Sequence, residues 1–145
     1  KKRNIDELIK VLKNYLPDGD RMFEEDFYTN SSERFMISEI IREKLLWCLD
    51  REVPHGTAVE ITRFSERENG IIDLDATIYC EKDSHKGIII GKQGSMLKRI
   101  GSTARYDMQR LLGSPIYLQI WVKVKKDWRD SDFLLKNFGY DKKNI

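Results

Sequence analysis

Ile88-Ile-Ile-Gly-Lys-Gln-Gly-Ser-Met-Leu-Lys-Arg-Ile100 decides how this chain is read. An apolar run ends at Gly91, the polar pair Lys92 and Gln93 makes a tight turn, Gly94 closes it, and an amphipathic basic helix follows. Glycines at this spacing let a phosphate backbone come close to the main chain, where a side chain would block it. The amides that open the next helix face the anion, and the helix dipole adds attraction. Lys92, in the turn, supplies a full positive charge.

A nucleotide-hydrolysing phosphate loop is the obvious competitor, because Gly87 to Lys92 is glycine-rich and ends in Gly-Lys. Such a loop needs four residues between its glycines and then Lys-Ser/Thr, so that the hydroxyl can hold magnesium. Here Gly87 and Gly91 enclose Ile88, Ile89 and Ile90 alone, and Gln93 follows the lysine. Nucleotide hydrolysis by this segment is not expected.

Charge supports an anionic partner through its distribution. The net charge of +2 is near neutral, but between Lys86 and Gly113 the cations Lys86, Lys92, Lys98, Arg99, Arg105 and Arg110 face Asp107 alone. Acidic residues gather in 18–33 and 66–83 instead. This asymmetry is the electrostatic footprint of a phosphate-binding face, although the charges alone would equally describe a solvated helix. With 145 residues and 40% apolar content, the chain can build one cored domain and an appendage. Cys48 and Cys80 fit no metal or redox spacing and read as buried free thiols in a reducing compartment. No membrane span or signal peptide is read, and the opening Lys1 in place of Met predicts a processed, truncated or partial chain.

Periodicity places the elements. Residues 4–16 read as a helix capped by Asn4, with Ile5, Leu8, Ile9, Leu12 and Leu16 in one stripe, ended by Pro17-Asp-Gly19. The acidic, aromatic stretch Arg21–Tyr28 reads as a linker. A second helix starts near Asn30, with Glu33 as its capping partner, and runs through Phe35, Ile37, Ile40, Ile41, Leu45 and Leu49 to stop before Pro54. A strand over 57–65 and a second over 71–81 flank the hairpin signal Asn69-Gly70. In the second strand Ile72, Leu74, Ala76, Ile78 and Cys80 face in, while Asp73, Asp75, Thr77 and Tyr79 face out. A short helix near 86–90 meets the glycine turn. The helix over 95–112 buries Leu97, Ile100, Ala104, Met108 and Leu111, and Gly113-Ser-Pro115 ends it. The third strand, 116–125, points Ile116, Leu118, Ile120, Val122 and Val124 inward and Gln119, Trp121, Lys123 and Lys125 outward. A last short helix spans about 130–139.

From residue 33 the order is α-β-β-α-α-β with a terminal helix. Together with the Gly-x-x-Gly turn this resembles a type II KH domain, a module that clamps about four nucleotides of single-stranded RNA. The expected fold class is therefore α+β, an α/β sandwich in which a three-stranded sheet packs against helices, plus an N-terminal helix and linker.

Further stretches carry a second resemblance: Glu39-Ile-Ile-Arg-Glu-Lys-Leu-Leu46, Glu52-Val-Pro-His55, Lys86-Gly-Ile-Ile-Ile-Gly-Lys92, Trp121-Val-Lys-Val-Lys-Lys-Asp-Trp-Arg129 and Phe138-Gly-Tyr140. In these the chain resembles the C-terminal part of the bacterial Era GTPase family. The resemblance implies that residues 1–32 are the last helix of a GTPase domain with the interdomain linker, and that 33–145 are the RNA-binding domain. It implies an RNA target at the 3′ end of small-subunit ribosomal RNA, with no DNA partner. It implies a role in assembling the small ribosomal subunit, and a cytoplasmic location with peripheral contact to the inner membrane. GTP and magnesium are expected only in the GTPase domain. The phosphate loop, the Asp-x-x-Gly switch and the Asn-Lys-x-Asp guanine motif do not occur in this sequence, so no cofactor and no catalysis are expected of it.

Gly91 and Gly94 are the first candidates for RNA contact, with Lys92 and Gln93 on phosphate and sugar. Lys98 and Arg99 line the groove, Arg105 and Lys86 join them, and Ile90 offers an apolar floor for a base. An outward Trp121 between lysines suits base stacking, but it is expected to pack under the terminal helix with Trp128 and Phe133. His55 reads as structural and His85 as a solvated loop residue. The competing reading makes the sheet and basic helix a protein-docking surface, with the glycine turn purely structural.

Overall fold

The computed structural model describes residues 4–20, 29, 31–49, 53–138 and 140. The expected linker Arg21–Tyr28, together with Asn30, Glu52 and Gly139, lies outside them. The chain divides into two compact units, Lys1–Asn30 and Ser31–Ile145.

The first unit holds α1 (Ile5–Lys13), a shorter helix than 4–16. Asn4 stands at its N-cap in a left-handed conformation (φ 65°), and its side chain makes no capping bond, contrary to expectation. The apolar stripe is present and exposed: Leu8 is 56% and Leu12 53% accessible.

In the second unit, α2 (Glu33–Cys48) is capped by Ser32, whose hydroxyl accepts from the Phe35 amide at 3.3 Å. Glu33 is thus the first helical residue and favours the helix through the dipole, not as the partner of a cap at Asn30. Ile37, Ile41 and Leu45, each four residues after the last, are fully buried, each contributing about 1.5–3 kcal/mol. The helix lies against β1 and α4. A 3-10 turn at Pro54–Gly56 leads into β1 (Thr57–Glu66), which pairs antiparallel with β2 (Ile72–Cys80) and carries an irregularity between Ile61 and Arg63. The hairpin is longer than two residues: Ile71 O accepts from the Arg67 amide at 2.8 Å, and Gly70 takes φ +76°.

The chain then leaves the sheet through α3 (Asp83–Ile90), the 3-10 turn Lys92–Gly94 and α4 (Ser95–Leu112). It returns as β3 (Ile116–Val124), parallel to β2. A parallel return requires such a helical crossover. The sheet order is β1-β2-β3. Helices α2, α3 and α4 cover one face, and Ile78, Leu74, Ile89, Ile100 and Met108 are completely buried between the layers. This is the α+β, type II KH arrangement read from the sequence.

The inward positions of β2 alternate as expected, but two outward ones are also buried, Asp73 at 6% and Thr77 at 2% exposure. Asp73 is enclosed by the guanidinium groups of Arg67 (Nε, 2.9 Å) and Arg63 (Nη2, 3.2 Å), which hold its carboxyl below the usual range. The far face of the sheet is covered at one end by a second cluster. There Ala58 and Tyr79, paired across β1 and β2, meet Trp128, Leu134, Leu135, Phe138 and Tyr140. Trp128 lies in a 3-10 turn ahead of α5 (Asp132–Asn137) and donates to the Gly56 carbonyl at 3.4 Å. The expected grouping of Trp128 with Trp121 and Phe133 is therefore corrected: Tyr79 and Phe138 stack at 4.9 Å, while Trp121 stays 44% and Phe133 72% exposed. Cys80 is buried, Cys48 partly so, and both are free thiols.

Candidate nucleic-acid interface

The turn between α3 and α4 is built from three departures from ordinary helical backbone within four residues. Gly91 ends α3 at φ 71°, ψ 177°, a region essentially reserved for glycine. Gln93 takes a left-handed φ of 52° and Gly94 a φ of 78°. Amides of Gly91 and Gly94 donate to the Gly87 and Gly91 carbonyls at 2.9 and 3.2 Å, which fixes the turn. The two glycines serve different needs. A Cβ at Gly91 would stand 2.6 Å from the Met96 Cβ, so packing forbids it. A Cβ at Gly94 would meet nothing within 4 Å, so this glycine borders open space.

Gly87 to Ile90 forms the last turn of α3, closed by the Gly91 amide on the Gly87 carbonyl.

Beyond the turn, a groove of about 420 Å³ runs between α4 and β3. Gly94, Leu97, Lys98, Gly101 and Arg105 line one side, and Leu118 and Ile120 the other. It combines an apolar floor with cations on the rim, the composition that suits unstacked bases carrying phosphates. The first turn of α4 contains no acid, and no side chain caps it. The one acid of α4, Asp107, is held by the buried Lys44 of α2, whose ammonium also meets Glu43 at 2.8 Å. These bonds, Asp107's foremost, raise the Lys44 pKa. The exposed cations Lys98, Arg99, Arg105 and Arg110 therefore dominate the helix surface.

Of the expected contact residues, the fold brings Gly94, Lys98 and Arg105 into the groove, with Gly91, Lys92 and Gln93 in the turn at its mouth. Arg99 lines a different groove, between α2 and α4. Lys86 is half-buried on α3, and Ile90 packs partly buried against the core beside the fully buried Ile89, leaving Ile88 as the exposed member of the triplet. His55 is exposed, whereas His85 is half-buried with its Nδ1 enclosed. Trp121, Lys123 and Lys125 remain exposed.

Sequence reading assigned Leu97, Leu118 and Ile120 to the core and passed over Gly101 and Ser102. A usable signal existed at Gly101. A glycine inside an amphipathic helix costs about 1 kcal/mol relative to Ala, and here a Cβ would already touch Ile120 Cδ1 at 3.4 Å.

The family model described as KH domain matches residues 52–129. GTPase Era of Ruminiclostridium cellulolyticum is 57% identical over 97% of the chain, and GTPase Era of Clostridium kluyveri 51% identical over 97%. The chain covers only 47% and 48% of these two proteins, so it spans about half the length of the curated relatives it matches. Among solved structures, an Aquifex aeolicus Era variant bound to GDP and aluminium fluoride superposes with a TM-score of 0.87 at 38% identity, covering 95% of this chain and 46% of that one. Era in complex with MgGDPNP and nucleotides 1506–1542 of 16S ribosomal RNA superposes with a TM-score of 0.88 at 38% identity, with the same coverage.

Proposed function

This chain belongs to the KH-domain family, and from that premise we propose that it binds single-stranded RNA through the Gly91–Gly94 turn and the α4–β3 groove. The observation that carries the proposal is the juxtaposition of a glycine turn, open at Gly94, with an apolar groove rimmed by Lys98 and Arg105. Phosphates rest on the turn and on the uncapped amides opening α4. Lys92 adds charge, Gln93 meets phosphate or sugar, and about four bases lie along Leu97, Leu118 and Ile120. Lys86, Arg99 and Ile90 belong to the proposed contact set through their nearness in sequence to the turn.

The proposed target is the 3′ end of small-subunit ribosomal RNA, and the proposed setting is assembly of the small ribosomal subunit. Support comes from the likeness to an Era that carries a segment of 16S ribosomal RNA. On the same likeness, residues 33–145 are the RNA-binding part of an Era-like GTPase. Residues 1–32 are then the end of its GTPase domain and the linker, and GTP and magnesium are bound in that other domain. A cytoplasmic location with peripheral contact to the inner membrane rests on the family resemblance alone. Among the described residues, no helix is long and apolar enough to cross a membrane.

Fluorescence anisotropy with a short RNA copying the ribosomal 3′ end, against a scrambled strand, tests the reading. The parent chain is expected to bind and to prefer the ribosomal strand, and the Lys92→Asp/Gln93→Asp variant to lose binding. Equal binding by the variant would make the turn structural and return the protein-docking reading to first place.

A further inference from the structure

A second groove, of about 440 Å³, lies between α2 and α4, and its walls are unlike ordinary helix surface. Trp47 projects from α2 with 75% of its surface exposed, and Tyr106 from α4 with 62%. Each ring is steadied by a cation: Lys44 Nζ lies 5.0 Å from the Trp47 ring centroid, and the Arg110 guanidinium 5.9 Å from that of Tyr106. Arg99 lines the same groove. Lys44 is itself anchored by Glu43 and by Asp107, which also lines the groove, so the one acid of α4 is paired and the ammonium is held beside Trp47.

Ser102 lines both this groove and the α4–β3 groove, so the two meet across a single helix crest. The crest carries Lys98, Arg99 and Arg105, exposed and with no carboxylate of α4 left unengaged. A polyanion leaving the first groove would cross a cationic ridge and reach two aromatic rings.

We infer that the α2–α4 groove is a second nucleotide subsite, in which a base of the same RNA strand stacks on Trp47 and Tyr106 while its phosphate meets Arg99. This rests on the RNA-binding reading above and extends it from about four nucleotides to a longer strand. Continuity of the two grooves through Ser102 and the cationic crest select RNA as the occupant. The groove volume is in the range of small-ligand sites, roughly 300–1,000 Å³, and sequence-tolerant stacking on exposed aromatics is a common means of holding single strands.

The test uses a labelled four-nucleotide strand from the ribosomal 3′ end and the same strand lengthened by three nucleotides on its 5′ or its 3′ side. One extension is expected to tighten binding roughly tenfold, as stacking of a further base would. Abasic nucleotides in that extension should remove most of the gain. In the Trp47→Ala/Tyr106→Ala variant the ratio of long- to short-strand affinity should fall to about one, and in Trp47→Phe/Tyr106→Phe it should largely return. Both rings are exposed, so these changes leave the core untouched. A gain that survives the double alanine change, or is equal with abasic nucleotides, overturns the subsite and leaves the four-nucleotide reading standing. Failure of the parent chain to bind the four-nucleotide strand overturns both.

Discussion

Gly91 and Met96 are packed so closely that a β-carbon on the glycine would lie 2.6 Å from the Met96 Cβ and 2.9 Å from its backbone nitrogen. The turn proposed to receive phosphate is therefore also a packing joint, where the end of α3 is pressed onto the first turn of α4. Gly94, three residues on, has the same sign of φ, but a β-carbon there would meet nothing within 4 Å. One glycine holds the turn together and the other leaves it open.

This difference predicts unequal costs for the same substitution. Gly91→Ala meets both a glycine-only backbone region and a clash with main chain, and should destabilise the domain by about 3 kcal/mol. Gly94→Ala meets only the left-handed conformation and should cost about 1 kcal/mol. Urea denaturation of the two variants checks the order, and equal midpoints would contradict it.

Gly101 offers the opposite trade. Replacing it with Ala improves helix propensity by up to about 1 kcal/mol, while placing a methyl group against Ile120 in the floor of the groove. Thermal unfolding should show an unchanged or raised midpoint, and anisotropy should show weaker RNA binding. A variant that is both less stable and fully binding would remove Gly101 from the site.

Affinity for RNA should depend on salt through the phosphates neutralised. With three or four contacts, the log–log slope against salt concentration is expected at about −2 to −3 for a single strand. Lys98→Ala and Arg105→Ala should each reduce its magnitude by about 0.7. A slope near zero would mean that the cationic rim does not touch phosphate.

Asp73 makes stability depend on pH. Arg67 and Arg63 hold its carboxyl below the usual range in the folded state. The unfolded chain therefore takes up the proton first as pH falls. The stabilisation is complete above the usual carboxylate range and is lost as pH drops from there toward the lowered folded value. Denaturation midpoints at pH 7 and pH 3 should differ less in Asp73→Asn than in the parent chain. An identical difference in both would show that Asp73 is not linked to folding.

The elements of the domain were legible because each carries its own period. In β2 the inward set Ile72, Leu74, Ala76, Ile78 and Cys80 is buried throughout, and the crossover through the glycine turn followed from the order of strands and helices. Caps were less legible: Asn4 and Ser32 are both ordinary capping residues, and only the second makes the bond. The turn was visible as two glycines, but the left-handed Gln93 between them was not, since nothing in a glutamine announces positive φ. The groove floor was missed for a topological reason. Leu118 and Ile120 have the alternation of core residues and do pack against the core, but on the edge strand β3 each stays partly exposed and also lines the groove. Trp121 shows the reverse error. Its outward register was read, but the terminal elements close over Tyr79 and Ala58, one outward position further along the sheet, where Tyr79 faces Lys123.

The most direct test of the central claim is an amide-resolved NMR titration of the chain with a short single strand from the ribosomal 3′ end. Binding through the glycine turn and its groove predicts the largest shifts at Gly91, Lys92, Gln93 and Gly94 and along Leu118 to Ile120, with the β1–β2 hairpin unmoved. Shifts concentrated on the hairpin or on α5, with the turn silent, would contradict it.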